Sequence, residues 1–413
     1  MGKLKPFKAV RPVPQLAEQV AALPYDVMNA TEAREMVAGN AYSFLHVDKA
    51  EIDLPLDIDP YDAVVYKTAA ARLRQMIGDG VFIREKKPCL YVYRQIMGDR
   101  AQIGIVGCTA IDDYFNNVIK KHELTRADKE EDRVKHVDIC DANTGPIFLA
   151  YRARPRINQI VTEVTTGAPL YDFTATGVQQ TVWIIDDEEK IATLCREFAA
   201  AGDFYIADGH HRTASAARVG KMRREQDPHY TGEEEYNYFL AVLFPDEQLF
   251  IMDYNRVIKD LNGLTPEAFL KAVSEKFTIE PFHGKGACKP PQKHSFGMYL
   301  LDKWYLLQAK ESTYDESDPV AQLDVSILQT NLLTPILDIG DPRTDKRIDF
   351  IGGIRGLVEL EKRVKEGMAV AFAMYPTSID DLIRIADAGK IMPPKSTWFE
   401  PKLLSGLFIH ELS

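Results

Sequence analysis

The turn Asp208-Gly209-His210-His211-Arg212 brings a carboxylate, two imidazoles and a guanidinium into five consecutive residues. If a helix begins there, the turn stabilises an anion, because a helix N-terminus carries free amides and partial positive charge. Arg212 adds a planar fork that suits phosphate or carboxylate, and Gly209 lets a ligand approach the backbone closely. An aspartate cap with two structural histidines is the alternative interpretation. The combination exceeds what capping requires, so the pattern favours a functional site.

A second set of reactive side chains lies in the charged segment Lys121–Arg133. His122, Glu123 and Thr125 supply an imidazole, a carboxylate and a hydroxyl just before a predicted helix, where loops often carry catalysis. A solvated helix face is the alternative interpretation of this charge run.

Two further loops contribute candidate ligand-binding residues. Asn143 lies in the turn 143–146, directly before an apolar run, where its amide can reach a ligand at the strand edge. Near the C-terminal end, two prolines precede Lys395, Ser396 and Thr397, which predicts an extended polar loop that can grip phosphate. A plain surface loop explains these three residues equally well.

Alternating strands and helices must position the first turn. Strands are predicted at 147–151, 181–185 and 204–207, with helices at about 188–200 and from 213 onward. Upstream, the pattern predicts a helix at about 61–78 and a hairpin of 89–95 with 102–108. The alternation is typical of a parallel or mixed sheet covered by helices, in which ligands gather at the carboxyl ends of strands. We therefore predict an α/β (α+β) fold with a mixed sheet.

The length of 413 residues exceeds one ordinary core, so two or three domains are expected. We predict an N-terminal α/β region at 1–115, a central region at 116–258 that carries both reactive segments, and a C-terminal α+β region at 259–413. The third region is predicted to contain a helix with Phe269, Val273 and Phe277 on one face, a hairpin at 296–309, and helices at about 357–366 and 379–388.

The composition limits the kinds of partner that the protein is expected to bind. A net charge of -11 argues against a nonspecific grip on nucleic acid. The chain shows neither a signal peptide nor an apolar run long enough to span a membrane, so we expect a cytoplasmic protein that does not bind membranes.

Five cysteines without C-x-x-C spacing argue against a zinc knuckle, a redox pair or a disulfide framework. The P-loop, the G-x-S-x-G elbow, the H-E-x-x-H motif and the kinase H-R-D set are absent, so any chemistry uses an uncommon apparatus.

Seven motifs along the chain resemble one prokaryotic family. They are Pro6–Pro12, Leu23–Val27, Asn40–Val47, Lys121–Thr125, Asn143–Pro146, Ala207–Arg212 and Met392–Thr397. Together they resemble the family catalogued as domain of unknown function 1015, across essentially the whole chain. This resemblance identifies the family without implying a function.

A more distant resemblance implies a mechanism. His122-Glu123 followed by Asp132-Arg133-Val134, and the later Asp208–Arg212 turn, are similar to the ParB/sulfiredoxin-like fold of free-serine kinases. In those proteins the glutamate of a His-Glu motif acts as base on the serine hydroxyl, and an Asp-Gly-His-His-Arg loop holds nucleotide phosphates. The resemblance implies the same roles for Glu123 and for the turn. About 84 residues separate the two motifs here, more than in the compact kinases, so it also implies an insertion in a ParB/sulfiredoxin-like central region.

The leading hypothesis is therefore a phosphoryl-transfer enzyme, kinase-like, acting on a small hydroxy-amino acid such as serine. A phosphatase of phosphoserine that uses the same site, and a nucleotide-binding regulatory or scaffold protein without catalysis, are the alternatives. A further hypothesis is metal-dependent hydrolysis by Asp208, His210, His211 and His122. It ranks last, because adjacent histidines rarely both face one metal. The expected cofactors are Mg2+ and ATP or ADP, and a homodimer is an open expectation.

The predicted site residues divide by role. Those predicted to act in catalysis are Glu123, His122, Asp208 and His211, with Asp208 also the predicted metal ligand. Those predicted to bind phosphate or another part of the ligand are Gly209, His210, Arg212, Thr213, Asn143, Lys395, Ser396 and Thr397.

Overall fold

The computed structural model describes residues 2–413. They form two compact units: the first holds the chain up to Leu249 together with Pro401–Ser413, and the second holds Phe250–Glu400. The predicted boundary at 258/259 lies close to the junction after Leu249, whereas the predicted boundary at 115/116 falls inside the first unit. The division into three regions stays a prediction.

The helices of the first unit are α1 (Ala17–Val20), α2 (Ala30–Met36), α3 (Leu45–Asp48), α4 (Ala63–Gly78), α5 (Ile111–Phe115), α6 (Ala127–Cys140), α7 (Pro155–Thr165), α8 (Glu188–Ala200) and α9 (His210–Gln226). Those of the second unit are α10 (Pro266–Lys276), α11 (Asp324–Leu328), α12 (Val358–Lys365) and α13 (Ile379–Asp387).

The strands of the first unit begin with β1 (Leu4–Lys5), β2 (Val10–Pro12), β3 (Phe82–Arg84), β4 (Leu90–Met97), β5 (Arg100–Ala110), β6 (Ile119–Lys120), β7 (Ala142–Asn143), β8 (Ile147–Tyr151), β9 (Tyr171–Ala175), β10 (Val178–Ile185), β11 (Phe204–Asp208) and β12 (Tyr238–Pro245). The second unit has β13 (Ile251–Met252), β14 (Tyr254–Ile258), β15 (Phe277–Pro281), β16 (Ser295–Leu300), β17 (Lys303–Ala309), β18 (Ile348–Gly352), β19 (Val370–Met374) and β20 (Trp398–Phe399). The last strand, β21 (His410–Glu411), belongs to the first unit again.

The main sheet of the first unit is mixed. Its strands follow the order β6-β11-β8-β12-β5-β4-β10-β9, with β1 added alongside β5. The pairs β6/β11 and β8/β12 are parallel, and the other pairs of this sheet are antiparallel. The predicted fold class, an α/β fold with a mixed sheet covered by helices, is confirmed. In the second unit the main sheet follows the order β15-β17-β16-β19-β14-β18 and is antiparallel throughout.

The central strands are apolar because both of their faces are covered. Every residue of β8 and of β12 is buried. Strands covered on both faces read as continuous apolar runs rather than as alternating patterns. The side chains on one face of these strands, at the odd-numbered positions from Ile147 to Tyr151 and from Phe239 to Leu243, form one core with α8 and α9.

The helix α9 carries the reactive turn. It begins at His210, three residues before its predicted start at Thr213, so His210, His211 and Arg212 form its first turn. Gly209 precedes the helix with φ +92°, a left-handed conformation that favours glycine. The helix packs against α6 and α5, and Arg218 pairs with Glu131 of α6 at 2.8 Å.

Two further observations concern the described part of the chain. The five cysteines are free, and all except the half-buried Cys195 are buried. Among residues 2–413, none of the helices has both the length and the apolar character that crossing a membrane requires.

Gly220 marks the tightest approach of α9 to its surroundings. An added Cβ would lie 2.3 Å from the Tyr236 carbonyl oxygen and 2.6 Å from Ile111 Cδ1. We expect Gly220→Ala to lower the free energy of unfolding by about 1–3 kcal/mol despite the better helix propensity of alanine, because backbone cannot give way cheaply. Urea unfolding measures the effect. Gly78→Ala is the matched control, since that helical position has no atom within 4 Å of an added Cβ. Equal effects of the two substitutions would contradict the packing described.

Candidate active site

Two parallel strand ends form the frame of the site. In the pairing of β6 with β11, Ile119 lies opposite Phe204 and Lys120 opposite Tyr205. The carboxyl ends of parallel strands lie at the same edge of a sheet. The residues that follow Lys120 therefore meet the residues that end β11, and the two reactive segments share one edge.

His122, Glu123 and His210, called here the histidine cluster, come together at this edge, with ligand atoms that all lie within 4.8 Å of one another. The rings of His122 and His210 have centroids 4.5 Å apart and meet at 88°. Glu123 Oε2 lies 3.8 Å from His210 Nδ1. Both histidines are buried, whereas the Glu123 side chain is 48% exposed. The cluster thus consists of two buried imidazoles and one carboxylate that faces solvent.

Burial sets the charge state of the two histidines. It lowers the pKa of His122 to about 4, against the opposing effect of the Asp208 carboxylate. It also lowers the pKa of His210 well below its ordinary value, and the neighbouring His122 acts in the same direction. Both imidazoles are therefore neutral near pH 7, and each keeps a lone pair on one ring nitrogen.

Asp208 is an ionised carboxylate with both oxygens engaged. Oδ1 accepts a hydrogen bond of 2.8 Å from the Gly209 amide, and Oδ2 accepts one of 2.9 Å from the Lys402 ammonium. Burial acts to raise the pKa of Asp208, but the positive charges of Lys402 and Arg212 bring it down to about 2. In this arrangement Asp208 holds positive charge at the start of α9.

Arg212 has one buried nitrogen without a hydrogen-bond partner. Its Nη1 donates to the Pro146 carbonyl at 2.7 Å, whereas its Nε is buried and makes no hydrogen bond within residues 2–413. Gly209 leaves room for this side chain, because an added Cβ there would lie 3.2 Å from Nε. Burial acts to lower the pKa of Arg212, but Asp26 and Asp208 raise it above its ordinary value. The guanidinium therefore keeps its charge.

A small cavity, called here the Arg212 cavity, lies beside this guanidinium. Its volume is about 20 Å³, room for about one water molecule. Its lining includes Tyr25, Asp48, Arg133, His136, Thr144 and Arg212. A larger anionic group enters only if these side chains move.

Two buried ion pairs flank the Arg212 cavity. Arg133 Nε donates to Asp132 at 2.9 Å. His136 Nε2 lies 3.7 Å from Asp48 Oδ1. Arg212 differs from these two cations, because within residues 2–413 it forms no ion pair. At this cavity Arg212 therefore combines the lack of an ion pair with a buried nitrogen that has no hydrogen-bond partner.

Two predicted site residues of α9 have partners within the protein. His211 Nε2 accepts a hydrogen bond of 3.0 Å from the Arg126 amide. Thr213 Oγ1 donates to the Gly209 carbonyl at 3.0 Å. Both contacts hold the turn in place, and the predicted roles of His211 in catalysis and of Thr213 in ligand binding stay predictions.

Asn143 is buried between strands. Its Oδ1 accepts a hydrogen bond of 3.2 Å from the Leu240 amide and lies 3.2 Å from His410 Nδ1. It also borders the Arg212 cavity. These contacts join β7, β12 and β21, and its predicted contact with a ligand stays a prediction.

Lys395, Ser396 and Thr397 belong to the second unit. The Lys395 carbonyl accepts a hydrogen bond of 2.9 Å from Arg256, and Ser396 Oγ donates to the Pro393 carbonyl at 2.6 Å. The loop is therefore polar and ordered by its own contacts. Phosphate binding by these three residues stays a prediction.

Asp48 and His136 are among the cavity residues that the predicted site does not include. A signal for His136 exists in the sequence, because Asp132, Arg133, His136 and Cys140 recur at helical spacing on the buried face of α6. Charged side chains on a buried stripe indicate a polar interior. Asp48 lies at the end of the short helix α3, where no comparable pattern marks it.

One protein-family model matches most of the chain. A model described as a protein of unknown function, DUF1015, matches residues 4–326. The chain belongs to this family. The DUF1015 match confirms the resemblance predicted from the seven motifs. Among curated proteins none matches the chain.

Solved structures similar to this DUF1015 protein include free serine kinases. A mutant of free serine kinase in complex with AMP is 13% identical, with a TM-score of 0.37, and the match covers 73% of this chain and 92% of the kinase. Another mutant, in complex with ADP, is 12% identical, with a TM-score of 0.38 and coverage of 76% and 95%. C-terminally truncated SbnI from Staphylococcus aureus is 11% identical, with a TM-score of 0.39 and coverage of 73% and 85%. Similarity at this level assigns neither a ligand nor an activity to this chain.

The buried pair of His136 and Asp48 should make the free energy of unfolding depend on pH. Burial acts to lower the pKa of His136, but its neighbours Cys140 and Asp48 raise it to about 9. Because the folded-state pKa exceeds that of the unfolded chain, protonated His136 stabilises the fold fully below about pH 6.5, and this stabilisation is lost as the pH rises through about 9. We expect the free energy of unfolding to fall by about 1–3 kcal/mol across this window.

Denaturant unfolding at a series of pH values measures this slope. His136→Gln removes the titrating group and should flatten it. His229→Gln, at an exposed histidine, should leave the slope as it is in the unsubstituted protein. An unchanged slope in His136→Gln would show that another group is responsible.

Proposed function

We propose that this protein is a phosphoryl-transfer enzyme of the kinase type that acts on a small hydroxy-amino acid such as serine. The observation that carries the proposal is the buried, unpartnered Nε of Arg212, beside an Nη1 fixed on the Pro146 carbonyl. A buried donor without a partner costs free energy, and an anionic ligand that accepts from it recovers that cost. Phosphate suits the planar donor edge of a guanidinium.

The start of α9 adds donors for the same anion. No side chain caps this helix at Gly209, and the amides of a first helical turn have no acceptor within their own helix. The partial positive charge of the helix N-terminus acts in the same direction. Lys402 neutralises Asp208 at 2.9 Å, which reduces the repulsion between that carboxylate and a bound phosphate.

Glu123 is the proposed general base. Its exposed carboxylate lies beside the neutral ring of His210, so this ring does not offset the negative charge that the carboxylate needs to act as a base. In the proposed step the serine hydroxyl oxygen forms a bond to phosphorus, and the bond from that phosphorus to the bridging oxygen of the nucleotide breaks. The hydroxyl proton passes to Glu123, and the nucleotide leaves with the electron pair.

ATP or ADP is the proposed phosphoryl donor, because the Arg212 turn suits the phosphate chain of a nucleotide. Mg2+ prefers oxygen ligands, and Asp208 offers two. Both oxygens are engaged by Gly209 and Lys402, so Mg2+ binds Asp208 only if Lys402 leaves. The Mg2+ site at Asp208 stays a prediction, and the proposed step does not depend on it.

The substitution Arg212→Lys tests the phosphate contact. Lysine keeps the charge but loses the planar fork, so we expect the affinity for ADP and ATP to fall by about tenfold or more, with little change in melting temperature. Titration calorimetry and thermal unfolding on one preparation measure both. Arg218→Lys is the matched control, because Arg218 lies on the same helix and pairs with Glu131 at the surface. Unchanged nucleotide affinity with a lowered melting temperature would show that Arg212 is structural.

A further inference from the structure

We propose that the histidine cluster binds a divalent transition-metal ion through His122, Glu123 and His210. This inference goes beyond the proposed function and does not rest on it, because metal binding requires neither nucleotide nor serine. A Glu123 carboxylate that binds the ion is not the free base of the proposed transfer, so the two roles of Glu123 belong to alternative states of the site. It assigns to the cluster an ion of a different class from Mg2+.

The first argument is geometric. The ligand atoms of the three residues all lie within 4.8 Å of one another, and Glu123 Oε2 is 3.8 Å from His210 Nδ1. Two ligands that each lie at about 2.0–2.2 Å from one ion are about 3.4 Å apart in a tetrahedral site. Small side-chain rotations therefore bring the three residues onto one ion.

A buried imidazole nitrogen without a partner supports the same ion. The Nε2 of His210 is buried and makes no hydrogen bond within residues 2–413. Both ring nitrogens of His122 are buried as well, and their polar neighbour is the backbone of Ile206. His122 and His210 are only 2% and 6% exposed, respectively. Buried polar atoms are nearly always satisfied, so a buried nitrogen without a partner indicates a missing ligand. An ion bound to one nitrogen of each ring supplies it, once the His210 ring turns so that Nε2 is its ligand atom.

The donor set selects the class of ion. Two imidazoles with one carboxylate suit Zn2+, Co2+ or Fe2+, whereas Mg2+ and Ca2+ prefer oxygen ligands. Glu123 is 48% exposed, so one side of the cluster is open to water or to a ligand. Three protein ligands with an open position are typical of catalytic rather than structural metal sites.

Co2+ is the probe, because its visible absorption reports nitrogen and oxygen ligands directly. The full-length protein, without a histidine tag and treated with chelator, is titrated with Co2+ alone near neutral pH. We expect saturation at one ion per chain, displacement of the absorption by Zn2+, and one Zn2+ retained per chain after dialysis. No absorption and no retained metal would overturn the proposal.

Substitutions assign the ligands. His122→Gln, His210→Gln and Glu123→Gln should each weaken Co2+ binding by at least about tenfold. Glu123→Gln serves also as the variant with the least effect on folding, since that side chain is exposed, and circular dichroism checks all three. His211→Gln is the matched control, because His211 adjoins His210 but accepts from the Arg126 amide. His229→Gln controls for an exposed histidine. Binding that survives all three ligand substitutions, or that either control abolishes, would contradict the assignment.

Discussion

The parallel pairing of β6 with β11 is the constraint on which the site depends. β6 has only two residues, and its register is held by further contacts beside the ladder: the Phe204 amide donates to the Val118 carbonyl at 2.8 Å, and Lys120 pairs with Asp203 at 2.7 Å. Side chains alternate between the faces of a sheet, so a slip of one residue would displace everything that follows β6. This register brings His122 and Glu123 to the start of α9.

The buried charges at this edge are paired with one another, except for that of Arg212. Asp208 is held by Lys402, Arg133 by Asp132 and His136 by Asp48. A buried charge without a partner is costly, so the loss of one member of a pair would destabilise the site. The final segment of the chain takes part, because Lys402 lies within Pro401–Ser413, which belongs to the first unit. Arg212 is left with a buried donor for a ligand.

Local patterns in the sequence predict many of the helices and strands of this structure. They do not predict which strands pair. The bounds of β8 and α8 agree with the predicted 147–151 and 188–200, because β8 is a continuous apolar run and α8 has apolar residues at helical spacing. The start of α9 is three residues early, because His210, His211 and Arg212 resemble a polar loop until Gly209 is known to precede them with positive φ. The pairing of β6 with β11 and the contribution of Asp48 depend on tertiary contacts that no local pattern encodes.

The proposed activity is transfer of a phosphoryl group from a nucleotide to serine at the edge shared by Glu123 and Arg212. Phosphorus NMR of the full-length protein with serine and either ADP or ATP tests it most directly. We expect a new phosphomonoester resonance that requires serine and is lost in Glu123→Gln, while nucleotide binding is retained. Nucleotide that binds without turnover, or free phosphate released from phosphoserine without any transfer, would contradict it and indicate a regulatory module or a phosphatase instead.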